Sequence, residues 1–126
     1  MRRFALLGAA TLLAGCGGNG NESRTTPTVT VPAGGQLRVL ADEYRFDPAR
    51  VVVKGAGRLK ITLDNRGALA HNLELSRRGS VVGGTPTFQG GRAESGVVRL
   101  KPGRYRMLCT VGDHAELGMT GTLEVR

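Results

Sequence analysis

Residues 109–125 read Cys109-Thr110-Val111-Gly112-Asp113-His114-Ala115-Glu116-Leu117-Gly118-Met119-Thr120-Gly121-Thr122-Leu123-Glu124-Val125. Upstream of the cysteine, Tyr105, Met107 and Cys109 alternate with Arg104 and Arg106, so one strand delivers the thiol to an interior face at its end. Downstream, glycines at 118 and 121 open another strand, with Leu123 and Val125 on its inner face. A strand, a short loop and a strand therefore carry Cys109, His114 and Met119 on one connection. A second histidine stands 38 residues before the cysteine, in His71-Asn72-Leu73-Glu74-Leu75. These four residues supply a thiol, two imidazoles and a thioether, and little else in the chain could do chemistry.

Working outward, the same two-residue period recurs. Leu37 and Val39 flank Arg38. Residues 51–53 are three valines. Leu59, Ile61 and Leu63 alternate with Lys60 and Thr62, the clearest half-buried strand. Gly55-Ala56-Gly57 and Asp64-Asn65-Arg66-Gly67 bound that strand, and Leu73 and Leu75 continue beyond His71 to a turn at Arg77-Arg78-Gly79. Val97 and Val98 begin a strand that Lys101-Pro102-Gly103 turns. Tyr44-Arg45-Phe46-Asp47-Pro48 reads as a loop. Residues 79–96 are rich in Gly, Ser and Thr and read as a long surface excursion with at most a short helix or edge strand. No segment has the 3.6-residue apolar period of a long helix. Short strands at this spacing argue an all-β sandwich.

A cysteine sulfur and two histidine nitrogens, with a weak methionine, form the ligand set of blue-copper electron-transfer sites. Zinc held by Cys and two His is the alternative, although structural zinc sites add a fourth Cys, His or carboxylate rather than Met. The stretch from Cys109 onward resembles the ligand loop and last strand of the cupredoxins, the plastocyanin-, azurin- and halocyanin-like proteins. The resemblance covers about residues 37–126 and is strongest after Val97. It implies a Greek-key β-sandwich and one type 1 copper ion on His71, Cys109, His114 and Met119. It further implies that Phe46 and Pro48 belong to a segment that plugs the core. It also implies that Asn72 reaches Thr110 and ties the His71 loop to the Cys109 loop. His114, near the loop tip, is expected to be the more exposed ligand. Leu69, Ala115 and Leu117 are placed by position to form a small apolar patch around it. One departure stands out: related loops often have Pro-Gly before the second histidine, where this chain has Gly112-Asp113.

The N-terminus carries a different signal. Met1-Arg2-Arg3 is basic, and residues 4–13 form an apolar run of ten, too short to span a bilayer, which needs about 20 residues. Leu13-Ala14-Gly15-Cys16 then resembles the bacterial lipobox. Residues 1–15 are expected to be a removed signal peptide and Cys16 to be the lipidated first residue of the mature chain. An ordinary signal peptide with a chance cysteine is the plainer alternative. With Cys16 acylated, Cys109 is the remaining cysteine of two. No disulfide is then available within the domain, and a lone extracytoplasmic thiol is left to oxidise, to pair between chains or to hold a metal. Residues 17–36 have almost no apolar content and read, with Cys16, as a flexible tether. That leaves residues 37–126, enough for one small sandwich and not for two domains.

The formal charge of +8 includes Arg2 and Arg3, so the chain from Cys16 onward carries +6. A basic surface suits anionic lipid headgroups or an acidic redox partner. An exported lipoprotein does not meet nucleic acid. Together these readings predict a monomeric, extracytoplasmic copper protein anchored to the bacterial membrane through Cys16, either at the cell surface or in the periplasm. It would shuttle one electron to or from a cytochrome or oxidase. No ligand position is left to water, so it is not expected to be an enzyme. Delivery of Cu(I) to another protein is the alternative function; the absence of Met-rich or His-rich tracts weighs mildly against it.

Overall fold

A computed structural model describes residues 26–126; the signal peptide expected at 1–15 and the lipidation site expected at Cys16 lie outside the described residues. Ten strands form two packed sheets: β1 (Thr28–Pro32), β2 (Gln36–Asp42), β3 (Arg45–Asp47), β4 (Arg50–Lys54), β5 (Gly57–Asn65), β6 (Glu74–Arg77), β7 (Ser80–Gly84), β8 (Arg92–Leu100), β9 (Gly103–Leu108) and β10 (Thr120–Val125). One sheet has the order β1-β4-β10-β9-β6-β7 and the other β3-β2-β5-β8. No helix occurs among the described residues.

The core follows from the alternation. Leu37, Val39 and Ala41 of β2 and Leu59, Ile61 and Leu63 of β5 face Val51, Val53, Leu75, Tyr105, Met107, Leu123 and Val125 of the other sheet, all buried. Phe46 is buried among them, as the resemblance implied, but its segment forms the short strand β3, paired antiparallel with β2. The pairs β2·β5, β1·β4 and β4·β10 are parallel. Parallel neighbours need long connections, and the chain supplies them by crossing between sheets: β3 and β4 lie between β2 and β5 in sequence and belong to opposite layers.

Two expectations are corrected. The tether read over residues 16–36 is shorter, because Thr28–Pro32 adds an edge strand to β4, in register from Thr28↔Arg50 to Pro32↔Lys54. Only Val31 of that strand is buried, so its order comes from backbone pairing rather than from an apolar pattern. Residues 79–96 are not one surface excursion. The edge strand β7 accounts for the start, and β8 begins at Arg92 rather than Val97, pairing with β5 over its whole length.

Tyr105 sets the entry to β9. Its hydroxyl donates to Lys101 O and accepts from Lys101 N, both at 2.9 Å. This closes the β8–β9 turn and fixes the start of the strand that ends at Cys109. At the other end of β5, the Asp64 carboxylate takes the guanidinium groups of Arg66 at 3.0 Å and Arg38 at 2.7 Å. Arg66 and then Arg38 hold its carboxyl below the usual range. A carboxylate with a lowered native value stabilises the fold above its unfolded value, about 3.9 for Asp, and that contribution is lost as pH falls through the native value. Both cations are more than half exposed, so about 1 kcal/mol or less is at stake. Asp64→Asn should therefore lower the melting temperature slightly at pH 7, and the difference should vanish in melts recorded well below pH 4.

Candidate metal centre

The site lies at one end of the sandwich, where β9 releases the chain. Cys109 is 1% exposed and continues the inward face of Tyr105 and Met107. The loop then folds back in successive turns: His114 N donates to Val111 O, Leu117 N to Asp113 O and Gly118 N to Ala115 O, each near 3.0 Å. Gly112 has φ of 47°, a left-handed conformation that glycine adopts without cost. The loop that lacks the usual proline is thus closed by its own backbone. Met119 N donates to His114 O at 3.0 Å and Cys109 N to Met119 O at 3.1 Å. The backbone of Met119 therefore locks the other two loop residues together, and its side chain is buried in the core.

His71 arrives from the opposite side. Its backbone makes a two-bond antiparallel bridge with Phe88, both bonds at 3.1 Å. Leu73 N donates to Thr85 Oγ1 at 3.0 Å and Leu73 O accepts from Thr85 N at 2.9 Å. The segment after β7 is therefore a wall that holds His71. Asn65, fully buried, donates to Leu69 O and Phe88 O and accepts from Gly67 N, which fixes the loop before His71. Asn72 Nδ2 donates to Thr110 Oγ1 at 2.7 Å, and Thr110 N donates to Asn72 Oδ1 at 2.8 Å. This reciprocal pair joins the His71 and Cys109 loops. Asn72→Ala leaves a Thr110 amide unpaired, a loss of about 1–3 kcal/mol. A supporting residue of this kind also changes metal affinity about 10–100-fold. Thermal melts and a metal titration of the variant check both figures.

Three donor atoms converge. His71 Nδ1 and His114 Nδ1 are 3.2 Å apart, and Cys109 Sγ lies 3.9 Å from the first and 3.7 Å from the second. Bonds of about 2.0 Å to nitrogen and 2.3 Å to sulfur, spread at trigonal angles, give edges of about 3.5 Å between nitrogens and about 3.7 Å from nitrogen to sulfur. The observed triangle encloses one such ion. Among the described residues His71, Cys109 and His114 are the His, Cys and carboxylate groups that gather in this way. Among the described residues no fourth Cys, His or carboxylate joins them, which disfavours structural zinc. Two imidazoles and a soft sulfur, with Met119 buried beside them in the core, fit copper in both oxidation states.

A fifth residue, which the sequence reading missed, completes the arrangement. Glu43, at the β2–β3 turn, places Oε1 3.0 Å from His71 Nε2. The same oxygen accepts from Leu69 N at 2.9 Å, and Oε2 accepts from Ala68 N at 3.3 Å. The Leu69 amide, chiefly, and the His71 and Ala68 hydrogen bonds hold the Glu43 carboxyl below its ordinary value. A carboxylate accepts hydrogen bonds, so this contact pairs Glu43 with the ring nitrogen of His71 that points away from Cys109.

The histidines differ in access. His71 is fully buried, whereas His114 is 8% exposed, with the Tyr44 ring against it at 4.9 Å between centroids. Leu69 and Leu117 are exposed apolar residues, 42% and 52%, and Ala115 is half-buried. Asp113 and Glu116 on the same loop are exposed. Arg50, Arg104 and Arg106 are exposed on strands of the six-stranded sheet. The His114 loop thus carries two exposed acidic side chains beside exposed Leu117.

No family model matches the chain. The copper-resistant cuproprotein CopI of Rubrivivax gelatinosus is 27% identical over 107 residues, which are 70% of this chain and 64% of that protein. The chain thus spans less than two thirds of that relative's length. Among solved structures, auracyanin B superposes with a TM-score of 0.67 at 20% identity, over 81% of this chain and 91% of that one. Dithionite-reduced auracyanin from Roseiflexus castenholzii gives 0.65 at 19%, over 72% and 96%. Auracyanin A, a "blue" copper protein from Chloroflexus aurantiacus, gives 0.63 at 19%, over 79% and 100%. The likeness shows the cupredoxin fold, a Greek-key β-sandwich.

Proposed function

We propose that this cupredoxin-fold chain is a blue-copper electron carrier, tethered outside the bacterial membrane by a lipid on Cys16 and acting as a monomer. The observation that carries the reading is the convergence of Cys109 Sγ and two histidine Nδ1 atoms, within 4.8 Å of one another and buried. His71, Cys109 and His114 would hold the ion, with the thioether of Met119 as the fourth donor. Copper bound there would supply a one-electron Cu(II)/Cu(I) couple. The chain's own part is to keep the donors still and dry. The bridge to Phe88, the Asn72–Thr110 pair and the Met119 backbone bonds each fix one donor, so the geometry has little room to reorganise between oxidation states. The three donor residues are all buried, which supports a carrier rather than an enzyme.

His114 is the route outward. It is the more exposed of the two histidines, 8% against 0%, and Leu69, Ala115 and Leu117 are placed by position to form an apolar rim around it. Asp113 and Glu116 favour a partner, such as a cytochrome or oxidase, whose docking face is apolar with a basic edge. The exposed Arg50, Arg104 and Arg106 are left free to lie near anionic headgroups.

Copper delivery is the second reading; the likeness to a copper-resistant cuproprotein supports a part in handling copper. A retention test separates the two. The full-length protein in detergent, loaded with one equivalent of copper, is cycled with ascorbate and oxidant in the presence of a water-soluble Cu(I) chelator. A carrier keeps its copper over many cycles; a delivery protein loses it to the chelator at the first reduction.

A further inference from the structure

The Glu43 carboxylate is one imidazole ring away from the donor triangle. We propose that Glu43 is a positioning residue that holds His71 in its metal-binding tautomer and biases the site toward the oxidised ion. The inference rests on the copper reading above and adds to it a residue that sets the balance between Cu(II) and Cu(I).

The geometry is specific. Glu43 Oε1 meets His71 Nε2 at 3.0 Å while His71 Nδ1 faces Cys109 Sγ at 3.9 Å. The two ring nitrogens thus have separate duties, one to donate its proton and one to ligate. The carboxylate is itself anchored by the amides of Leu69 and Ala68, so it cannot swing away without breaking the loop that carries His71. Gly67 makes room for it: a Cβ at that position would collide with the Glu43 carboxylate. Asn65 secures the same loop through Gly67 N and Leu69 O. The β2–β3 turn and the loop before His71 are therefore shaped around this one side chain.

The chemistry follows from charge. A ring N–H held by a carboxylate makes the opposite nitrogen a stronger donor, and outer partners of this kind are a standard means of tuning metal sites. A negative charge at this distance stabilises the dipositive ion more than the monopositive one. The Glu43 side chain is 29% exposed, so solvent weakens this bias without cancelling it. Glutamine has the same shape, and its amide oxygen can still accept from His71 Nε2 and Leu69 N, so a purely structural role would lose only the longer Ala68 N contact at 3.3 Å. A charge role would be lost.

The test is Glu43→Gln in the full-length protein, with Cu(II) and Cu(I) affinities measured by competition and the reduction potential by redox titration. We expect the ratio of Cu(II) to Cu(I) affinity to fall about tenfold, within the range for such partners. For one electron this raises the potential by about 59 mV. In parallel, ¹⁵N spectra of the metal-free wild-type protein should show His71 protonated at Nε2 and bare at Nδ1, a readout that needs neither copper nor a folded variant. A Glu43→Gln protein that binds copper with an unchanged affinity ratio overturns the charge role. A wild-type His71 carrying its proton on Nδ1 overturns the positioning role. Wild-type protein that binds no copper defeats the copper reading instead, and the nitrogen spectra still decide the tautomer.

Discussion

Cys109→Ser should give a folded protein with no intense visible absorption and a copper affinity reduced by orders of magnitude. The sulfur is the only soft anionic donor in the cluster, and the visible band of a type 1 site belongs to the copper–thiolate bond. Serine is nearly the same size, so the well-packed end of β9 keeps its shape. The hydroxyl, however, does not ionise at neutral pH and has no affinity for Cu(I). The two imidazoles remain, and weak Cu(II) binding through nitrogen is the expected residue of function. Absorption and electron paramagnetic resonance spectra of the variant check this. A Cys109→Ser protein that keeps the intense band would remove the cysteine from the site.

Copper should also raise the melting temperature by a large margin. A ligand held by the folded state alone stabilises it by RT ln(1 + [L]/Kd), about 4 kcal/mol at a free concentration a thousand times Kd. For a domain near 100 residues each kcal/mol moves the midpoint about 4–8 °C, so the expected rise is about 16–32 °C. The reason is topological. His71 and Cys109 are 38 residues apart, and the unfolded chain does not present them together, so the binding energy is folding energy. Calorimetric scans of metal-free and copper-loaded protein measure the shift directly. His71→Ala should abolish most of it, because removing that donor breaks the long-range staple while leaving the 109–119 loop intact.

Much of the fold was legible because its central strands are half-buried. β2, β5, β9 and β10 each alternate over most of their length, and the structure buries Leu59, Ile61 and Leu63 while leaving Lys60 exposed, as the pattern requires. β1 was hidden because three of its first four residues are exposed and only Val31 reaches the core. The glycine-rich region after residue 79 was hidden for a different reason. Its backbone packs closely, with Gly84 against Leu73 O and Gly96 against Gly84 O, and such contacts leave no side-chain pattern to read. At the site, Cys109, His114 and Met119 were visible because one loop carries them. Glu43 was not, since a single acidic residue beside Tyr44 looks like any solvated turn. Only the three-dimensional approach of that turn to His71, 28 residues away, gives it meaning. The charge balance was similarly read as a total. The structure shows that the His114 loop itself carries two exposed acids, Asp113 and Glu116, while Arg50, Arg104 and Arg106 are exposed on the six-stranded sheet.

The most direct test of the central claim is a Cu(II) titration of the full-length protein, followed in the visible spectrum. One ion on His71, Cys109, His114 and Met119 predicts an intense band that saturates at one equivalent, bleaches with ascorbate and returns with oxidant. Saturation without a visible band, or a band that ascorbate leaves unchanged, would contradict it.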